Sequence, residues 1–338
     1  MKKFYPFALL GTVLGITACK EEVYVLDSYS TMRYDVLALP AAADTLGLNT
    51  VDFVSAREGF VGGAKGSLFA TTDAGATWTR RSQPSLGTIN KLLFTSATAG
   101  WAGTSSGLYR TTNGGQTWQR LSLSDAYGSG AGEVTDVQFV TPQVGYAVGA
   151  GAIINKTTNG GTTWTNTHRR IDKRYTFRAV SFTSADSGTV VGDEQSRWIT
   201  ANGGQTWDIF DYLGNPQDNT THDILRLNLK TYMLATPHGF EAYSPQALGY
   251  SETDDERYGY PVYGLASAGP KGPVVAVGER TLIRRDPAYS KSEHTPWAYV
   301  HAPDGTSFTA TFRAADFADA GTFYAVGSRG LIYRFHYQ

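Results

Sequence analysis

Arg169, Arg170, Lys173 and Arg174 crowd into one connection beside His168, and Arg178 opens the strand-like run that follows. Guanidinium groups at this density can grip carboxylate or phosphate oxygens in pairs of hydrogen bonds. The cluster is therefore a candidate partner-binding site for an acidic protein, a glycan or a phosphate group. Asp172 lies inside it, so a solvated loop with its own internal ion pair is the competing reading. A second set of charges is scattered along the chain: Lys65, Asp193, Glu194, Arg197, His238, Glu279, Arg280 and Arg329. Each falls in or beside a turn between two apolar runs. Opposite charges from different turns are expected to meet and neutralise one another.

Catalytic patterns are scarce. The six histidines (His168, His222, His238, His294, His301 and His336) show no metal-ligand spacing. No phosphate-cradling loop and no dinucleotide fingerprint occurs. Gly103-Thr104-Ser105-Ser106-Gly107 matches a serine-nucleophile string, but that chemistry needs a strand–turn–helix elbow, and this string lies between two strand-like runs. The acidic run 251–256 lacks the glycine and spacing of a calcium loop. No catalytic residue, no metal and no cofactor is expected.

Cys19 is the sole cysteine. Ahead of it, Lys2 and Lys3 precede an apolar run from Phe4 to Ala18 that is short for a bilayer span. The stretch Ile16-Thr17-Ala18-Cys19 resembles a bacterial lipobox, whose cysteine is acylated and becomes the new N-terminus. Residues 1–18 then read as a signal peptide, 19–28 as a tether and 29–338 as the folded domain. An acyl anchor gains about 0.8 kcal/mol per buried methylene. It would place the domain outside the cytoplasm on a membrane, and Lys20 after the cysteine resembles sorting to an outer membrane. With its only thiol acylated, the mature chain would have neither disulfides nor thiolate chemistry. The net charge of −1 gives no general pull toward nucleic acid, and none is expected as a partner.

The elements that must carry these groups are written in a repeat. TTDAGATW (71–78), TTNGGQTW (111–118), TTNGGTTW (157–164) and TANGGQTW (200–207) are one phrase. Trp78, Trp118, Trp164 and Trp207 lie 40, 46 and 43 residues apart, and Trp297 falls two periods further on. That period fits a four-stranded propeller blade. Upstream of each phrase sits an apolar run ending in glycine, such as Tyr146-Ala147-Val148-Gly149, and upstream again an alternating strand, such as Val137-Gln138-Phe139-Val140. Counting all three markers gives seven blades, near 49–81, 88–121, 134–166, 177–210, 222–260, 262–300 and 308–336.

The phrase reads as the turn between third and fourth strands. Asp73, Asn113, Asn159 and Asn202 fold onto nearby amides, glycines supply positive φ, the leading threonines pair across strands, and the tryptophans pack between neighbours. The last blade runs through Phe308–Ala314, Phe323–Gly327 and Leu331–Phe335 and then lacks a fourth strand. Tyr29–Leu39 is strand-like and unclaimed, so it is predicted to close the ring there. Turn loops joining second to third strands, and blade to blade, would make one face around a central funnel. The repeated phrases would lie on the other face, as structural parts.

The phrase resembles the Asp-box or BNR repeat, with asparagine replacing aspartate in three of four copies. The wider pattern is similar to the photosystem II stability/assembly factor family and its non-photosynthetic relatives, clearly over 49–210 and faintly over 262–336. That resemblance implies an all-β, seven-bladed propeller whose phototrophic relatives bind membrane-protein intermediates during assembly. The expected function is a lipid-anchored, protein-binding or assembly scaffold without catalysis. The expected partners are a membrane, through the anchor, and a protein. The alternative is a surface glycan-binding protein or a sialidase-like glycosidase. Sialidases also carry Asp-boxes, but the Arg-Ile-Pro motif of their carboxylate-binding arginines is absent here.

Overall fold

The computed structural model describes residues 30–40, 47–124, 132–167, 176–210, 220–227, 232–243, 260–269, 272–285, 297–301 and 308–336. Seven antiparallel sheets follow one another along the chain. Their first strands are Leu48–Phe53, Ile89–Phe94, Val134–Phe139, Phe177–Phe182, Asp223–Arg226, Val262–Ser267 and Phe312–Asp319. Each first strand touches the first strand of the next blade, and the seventh touches the first, so they enclose a central channel. The fold is a closed seven-bladed propeller.

The chain ends are knitted together as the sequence predicts, but across two blades. Arg33–Leu37 is the fourth strand of the last blade, antiparallel to Ile332–His336, with Tyr34 opposite Phe335 and Val36 opposite Tyr333. Just before it, Ser30–Thr31 adds in parallel to Trp297–His301, the outer strand of the sixth blade. Met32 turns inward between the two blades and is 2% exposed. The last blade's first strand starts at Phe312 rather than Phe308. Phe308 is instead a core plug, edge-on to Phe312, Tyr333 and Phe335. Its apolar alternation with Ala310 imitates a strand.

The apolar marker on the second strand has a packing cause. Its aromatic residue stacks on the aromatic that ends the next blade's first strand. Phe60 stacks on Phe94 at 3.6 Å, Tyr146 on Phe182 at 3.6 Å, and Tyr324 on Phe53 at 3.8 Å. Trp101 meets Phe139 at 4.3 Å in a tilted pair. Such pairs add about 0.5–1.5 kcal/mol beyond the area they bury. The same first-strand ring also lies over the glycine that starts its own second strand. A Cβ on Gly188 would sit 2.2 Å from Phe182, so no larger residue fits without displacing the ring. Thr189 breaks the series between the fourth and fifth blades, and Arg226 stands where a phenylalanine would. These two make a hydrogen bond of 3.0 Å instead of a ring stack. The fifth blade's departure from the repeat is this exchange of a stack for a polar contact.

The repeated phrase is a rivet between blades, on the face opposite the second-to-third-strand turns. Asp73 Oδ1 accepts from the Thr77 amide at 2.8 Å, and Oδ2 from the Thr77 hydroxyl at 2.6 Å. The exposed Asp73 carboxyl is thereby held down at about 2, the Thr77 hydroxyl being the largest cause. Asparagine keeps the first bond and reverses the second: Asn113 Nδ2 donates to the Thr117 hydroxyl at 2.9 Å. The leading threonines do not pair across strands as expected. Thr71, Thr111, Thr157 and Thr200 stand opposite glycines 59, 100, 145 and 188. Each hydroxyl turns into its own loop, donating to the Asp or Asn and accepting from the amide four residues on. The preceding blade then grips the loop's carbonyls: Arg81 bonds Gly114, Lys156 bonds Gly203 and Arg334 bonds Ala74.

Candidate binding mouth

In six blades the second residue of the first strand sits on a β-bulge, at the end of the channel nearest the second-to-third-strand turns. In blade order these are Asn49, Asn90, Thr135, Arg178, Tyr263 and Arg313, and His222, just ahead of the fifth blade's first strand, takes the matching place between Arg178 and Tyr263. The first three are short and zip their blades together. Asn49 Nδ2 donates to the Ile89 carbonyl, Asn90 Nδ2 to Val134 and Thr135 Oγ1 to Phe177, at 3.1, 3.0 and 2.6 Å. The other four are large, and they form an arc of two guanidiniums, an imidazole and a phenol.

The arc is made of two contact groups, Arg178 with Asp193 and His222 with Tyr263 and Arg313. Arg178 makes a fork with Asp193, Nε to Oδ1 at 2.9 Å and Nη2 to Oδ2 at 3.3 Å. His222 and Tyr263 lie with ring centres 5.1 Å apart. The Arg313 guanidinium stands 4.3 Å above the Tyr263 ring, within cation–π range. Burial, and then the nearby Arg178 and Arg313 charges, pull His222 down to about 4. The imidazole is therefore neutral at physiological pH, and the arc's positive charge is held by its arginines. No carboxylate pairs with Arg313 among the described residues. An anionic group entering this mouth would meet one guanidinium already stacked on an aromatic and a second positioned by Asp193.

Of the predicted partner-binding residues, only Arg178 lies within the described part of the chain, and it joins the mouth. Arg169, Arg170, Lys173 and Arg174 lie outside it, as do Cys19 and the residues assigned to signal peptide and tether. The predicted rim is reproduced in part. Lys65, Glu194, His238, Arg280 and Arg329 are exposed in the second-to-third-strand turns, with Glu279 half-buried beside Arg280. Lys65, Glu194, Arg280 and Arg329 take positive φ between 51° and 61°, a conformation that side chains with a Cβ adopt at some cost. Arg197 is a correction: it begins a third strand, and its guanidinium lies between the fourth and fifth blades. There it donates to the Tyr232 hydroxyl at 2.6 Å and stands 5.2 Å from the Phe210 ring centre. Asp193 also departs from expectation, because its Arg178 partner belongs to the same blade. Ser106, in the nucleophile-like string, donates to the Leu86 carbonyl and contacts the Tyr109 hydroxyl, so its hydroxyl serves the turn.

Sequence reasoning missed the interior of the channel. Side chains at the third and fifth positions of first strands accept amide protons from the next blade. Asp316 accepts from Phe53, Asp52 from Phe94, Asp136 from Val180 and Asp223 from Leu265, at 2.6–2.9 Å. Thr50, Gln138 and Ser181 make the same kind of bond with Leu92, Phe182 and Arg226. Lys91 pairs with Asp136 at 3.5 Å, and that carboxylate above all raises its affinity for a proton. The missing signal was register: aligning the blades strand by strand places these polar residues at matching positions of otherwise apolar runs.

Comparison with known proteins follows the same lines as the geometry. The family model for photosynthesis system II assembly factor YCF48 matches residues 27–133 and 128–240. The chain belongs to this family. Among solved structures it is similar to YCF48 bound to a D1 peptide, at 17% identity and a TM-score of 0.68, over 94% of this chain and 98% of that one. YCF48 from Cyanidioschyzon merolae is similar at 19% identity and a TM-score of 0.64, over 90% and 98%. The WD40 propeller of Doa1 aligns at 12% identity with a TM-score of 0.65, over 91% and 98%, which shows the fold alone. No curated protein sequence matches the chain. Membership and fold thus agree with the repeat, the ring closure and the YCF48-like blade pattern.

Proposed function

We propose that this YCF48-family propeller is a binding scaffold, anchored outside the cytoplasm by acylated Cys19, whose mouth docks an acidic stretch of a protein partner. The observation that carries the docking reading is the arc itself. Arg178 and Arg313 flank a neutral imidazole and an aromatic ring at the turn-side end of the channel. Guanidiniums and aromatic rings are the side chains that dominate binding energy at protein interfaces. The D1 peptide held by the YCF48 of similar fold supports a polypeptide as the kind of ligand.

The glycan or glycosidase alternative would need free carboxylates amid several aromatics. Within the described channel the carboxylates accept amides from neighbouring blades. Among the described residues the aromatic surface of the mouth is Tyr263 with His222. These features favour docking over hydrolysis. The anchor rests on Cys19 and the apolar run before it, and the family match supports the scaffold rather than the location.

Two experiments test the reading. Arg178→Glu with Arg313→Glu should abolish capture of the membrane partner that wild type retains, while circular dichroism shows the fold intact. An unchanged partner set would remove the mouth from the account. Cys19→Ala should move the protein from the membrane to the soluble fraction, and continued membrane retention would contradict acylation.

A further inference from the structure

Asp316 and Asp52 occupy the same fifth position on the first strands of adjacent blades, the seventh and the first. They are chained through the backbone. Asp316 Oδ2 accepts from the amide of Phe53, the residue next to Asp52, at 2.7 Å. Asp52 Oδ2 in turn accepts from the Phe94 amide of the second blade at 2.6 Å. Two carboxylates therefore stand on adjacent strands inside the ring, at the seam between the seventh and first blades. Like charges so placed and enclosed resist simultaneous ionisation.

We propose that Asp52 and Asp316 share one proton, tightening the seam of the seventh, first and second blades while it is bound and loosening it when both ionise. Enclosure by the ring and mutual repulsion both push the Asp52 carboxyl up, and enclosure pushes the Asp316 carboxyl up. Other charges face the pair from the neighbouring strands. Lys91 of the second blade favours ionisation of both, while Asp136 of the third and Asp223 of the fifth hold Lys91 protonated. Arg313 and Asp319 lie on the pair's own seventh-blade strand, toward its two ends. Among the described residues one ammonium thus stands against four channel carboxylates, and loss of the shared proton leaves the negative charge uncompensated. The direction follows from the raised affinity. The pair binds its proton more tightly in the folded chain than in the unfolded one. Its contribution is thus full below the ordinary carboxylate value and is lost as pH rises through the folded value.

Amide hydrogen exchange at Phe53 and Phe94 tests this, taken relative to the Val180 amide, which bonds Asp136 in a distant seam. After correction for base catalysis, the relative protection of wild type should fall between pH 5 and pH 9, by up to about tenfold per pH unit at its steepest. In Asp52→Asn and in Asp316→Asn the fall should move to lower pH, because the remaining carboxyl has lost its like-charged neighbour. A flat wild-type ratio, or a fall at the same pH in wild type and both variants, would overturn the proposal. Lys91→Met gives a second reading should either amide variant not fold. Without the ammonium the fall should move to higher pH, and a fall that stays in place or moves lower would also overturn it.

Discussion

Val36 and Tyr333 face each other across an antiparallel ladder, although they lie at opposite ends of the chain. On the same pair of strands, Asp35 accepts two hydrogen bonds from Arg334, from Nε at 2.9 Å and from Nη2, and lies 3.1 Å from His336 Nε2. Arg334 also reaches the Ala74 carbonyl of the first blade at 3.0 Å, so one guanidinium ties together both chain ends and the neighbouring blade. This ion pair reinforces the ladder between Arg33–Leu37 and Ile332–His336 that closes the ring.

Asp35→Asn should therefore lower stability. Hydrogen bonds to charged groups contribute about 1.5–3 kcal/mol, and partial exposure of the pair reduces that to roughly 1–2 kcal/mol. The His336 and Arg334 hydrogen bonds hold the Asp35 carboxyl below its ordinary value. Its contribution is thus full above about pH 4 and vanishes as pH falls through the folded value. Denaturant titration of wild type and variant should show a gap at pH 7 that closes in acid. A gap that is independent of pH would refute the electrostatic clasp.

Ala74 adopts a φ of 59° where the other three phrases place Gly114, Gly160 and Gly203 at 64–67°. Ala74→Gly removes the Cβ penalty of that conformation, set against the greater freedom of glycine in the unfolded chain. A net gain of about 0.5–1 kcal/mol is expected. The melting midpoint checks it; a loss of stability would show that the Ala74 methyl contributes packing.

Thr157 is 1% exposed, donates to Asn159 and accepts from the Gly161 amide. Thr157→Val keeps the volume and leaves both partners short of a bond inside the blade. The expected cost is about 1–3 kcal/mol. Thr157→Ser should recover most of it, since the hydroxyl is what the loop uses. Equal losses in both variants would mean that the threonine acts through its methyl group.

His222 is half-buried and feels the charges of two guanidiniums, so the unfolded chain takes up a proton more readily than the folded one. Stability should fall as pH drops from about 6.5 toward 4. His222→Gln should remove an acid-dependent loss of roughly 1–3 kcal/mol from that window. An identical pH profile in the variant would place the titration elsewhere.

The blades were legible in the sequence because one packing problem is solved repeatedly with the same residues. Phe60, Trp101, Tyr146 and Tyr324 each need an aromatic in the next blade, and the TTNGG phrase closes its own hydrogen bonds locally. The mouth was not legible. Arg178, His222, Tyr263 and Arg313 differ in type and share only a register position, so no motif marks them. Arg178 stood out through its basic neighbours rather than its place on the strand. Arg197 was misplaced because a charge beside a turn reads as a rim residue, whereas the first residue of a third strand is directed between blades. The channel carboxylates were hidden for a third reason: each replaces a single side chain in an apolar strand, and its partner is a backbone amide that carries no sequence signature.

Site-specific photocrosslinking in the native host tests the docking account most directly. A photoreactive phenylalanine analogue placed at Tyr263 should give a discrete protein adduct that disappears in the Arg178→Glu, Arg313→Glu background. The same probe at Gln116, on the opposite face, should give none. Equal adducts from both positions, or a Tyr263 adduct indifferent to the two arginines, would contradict a partner seated in the mouth.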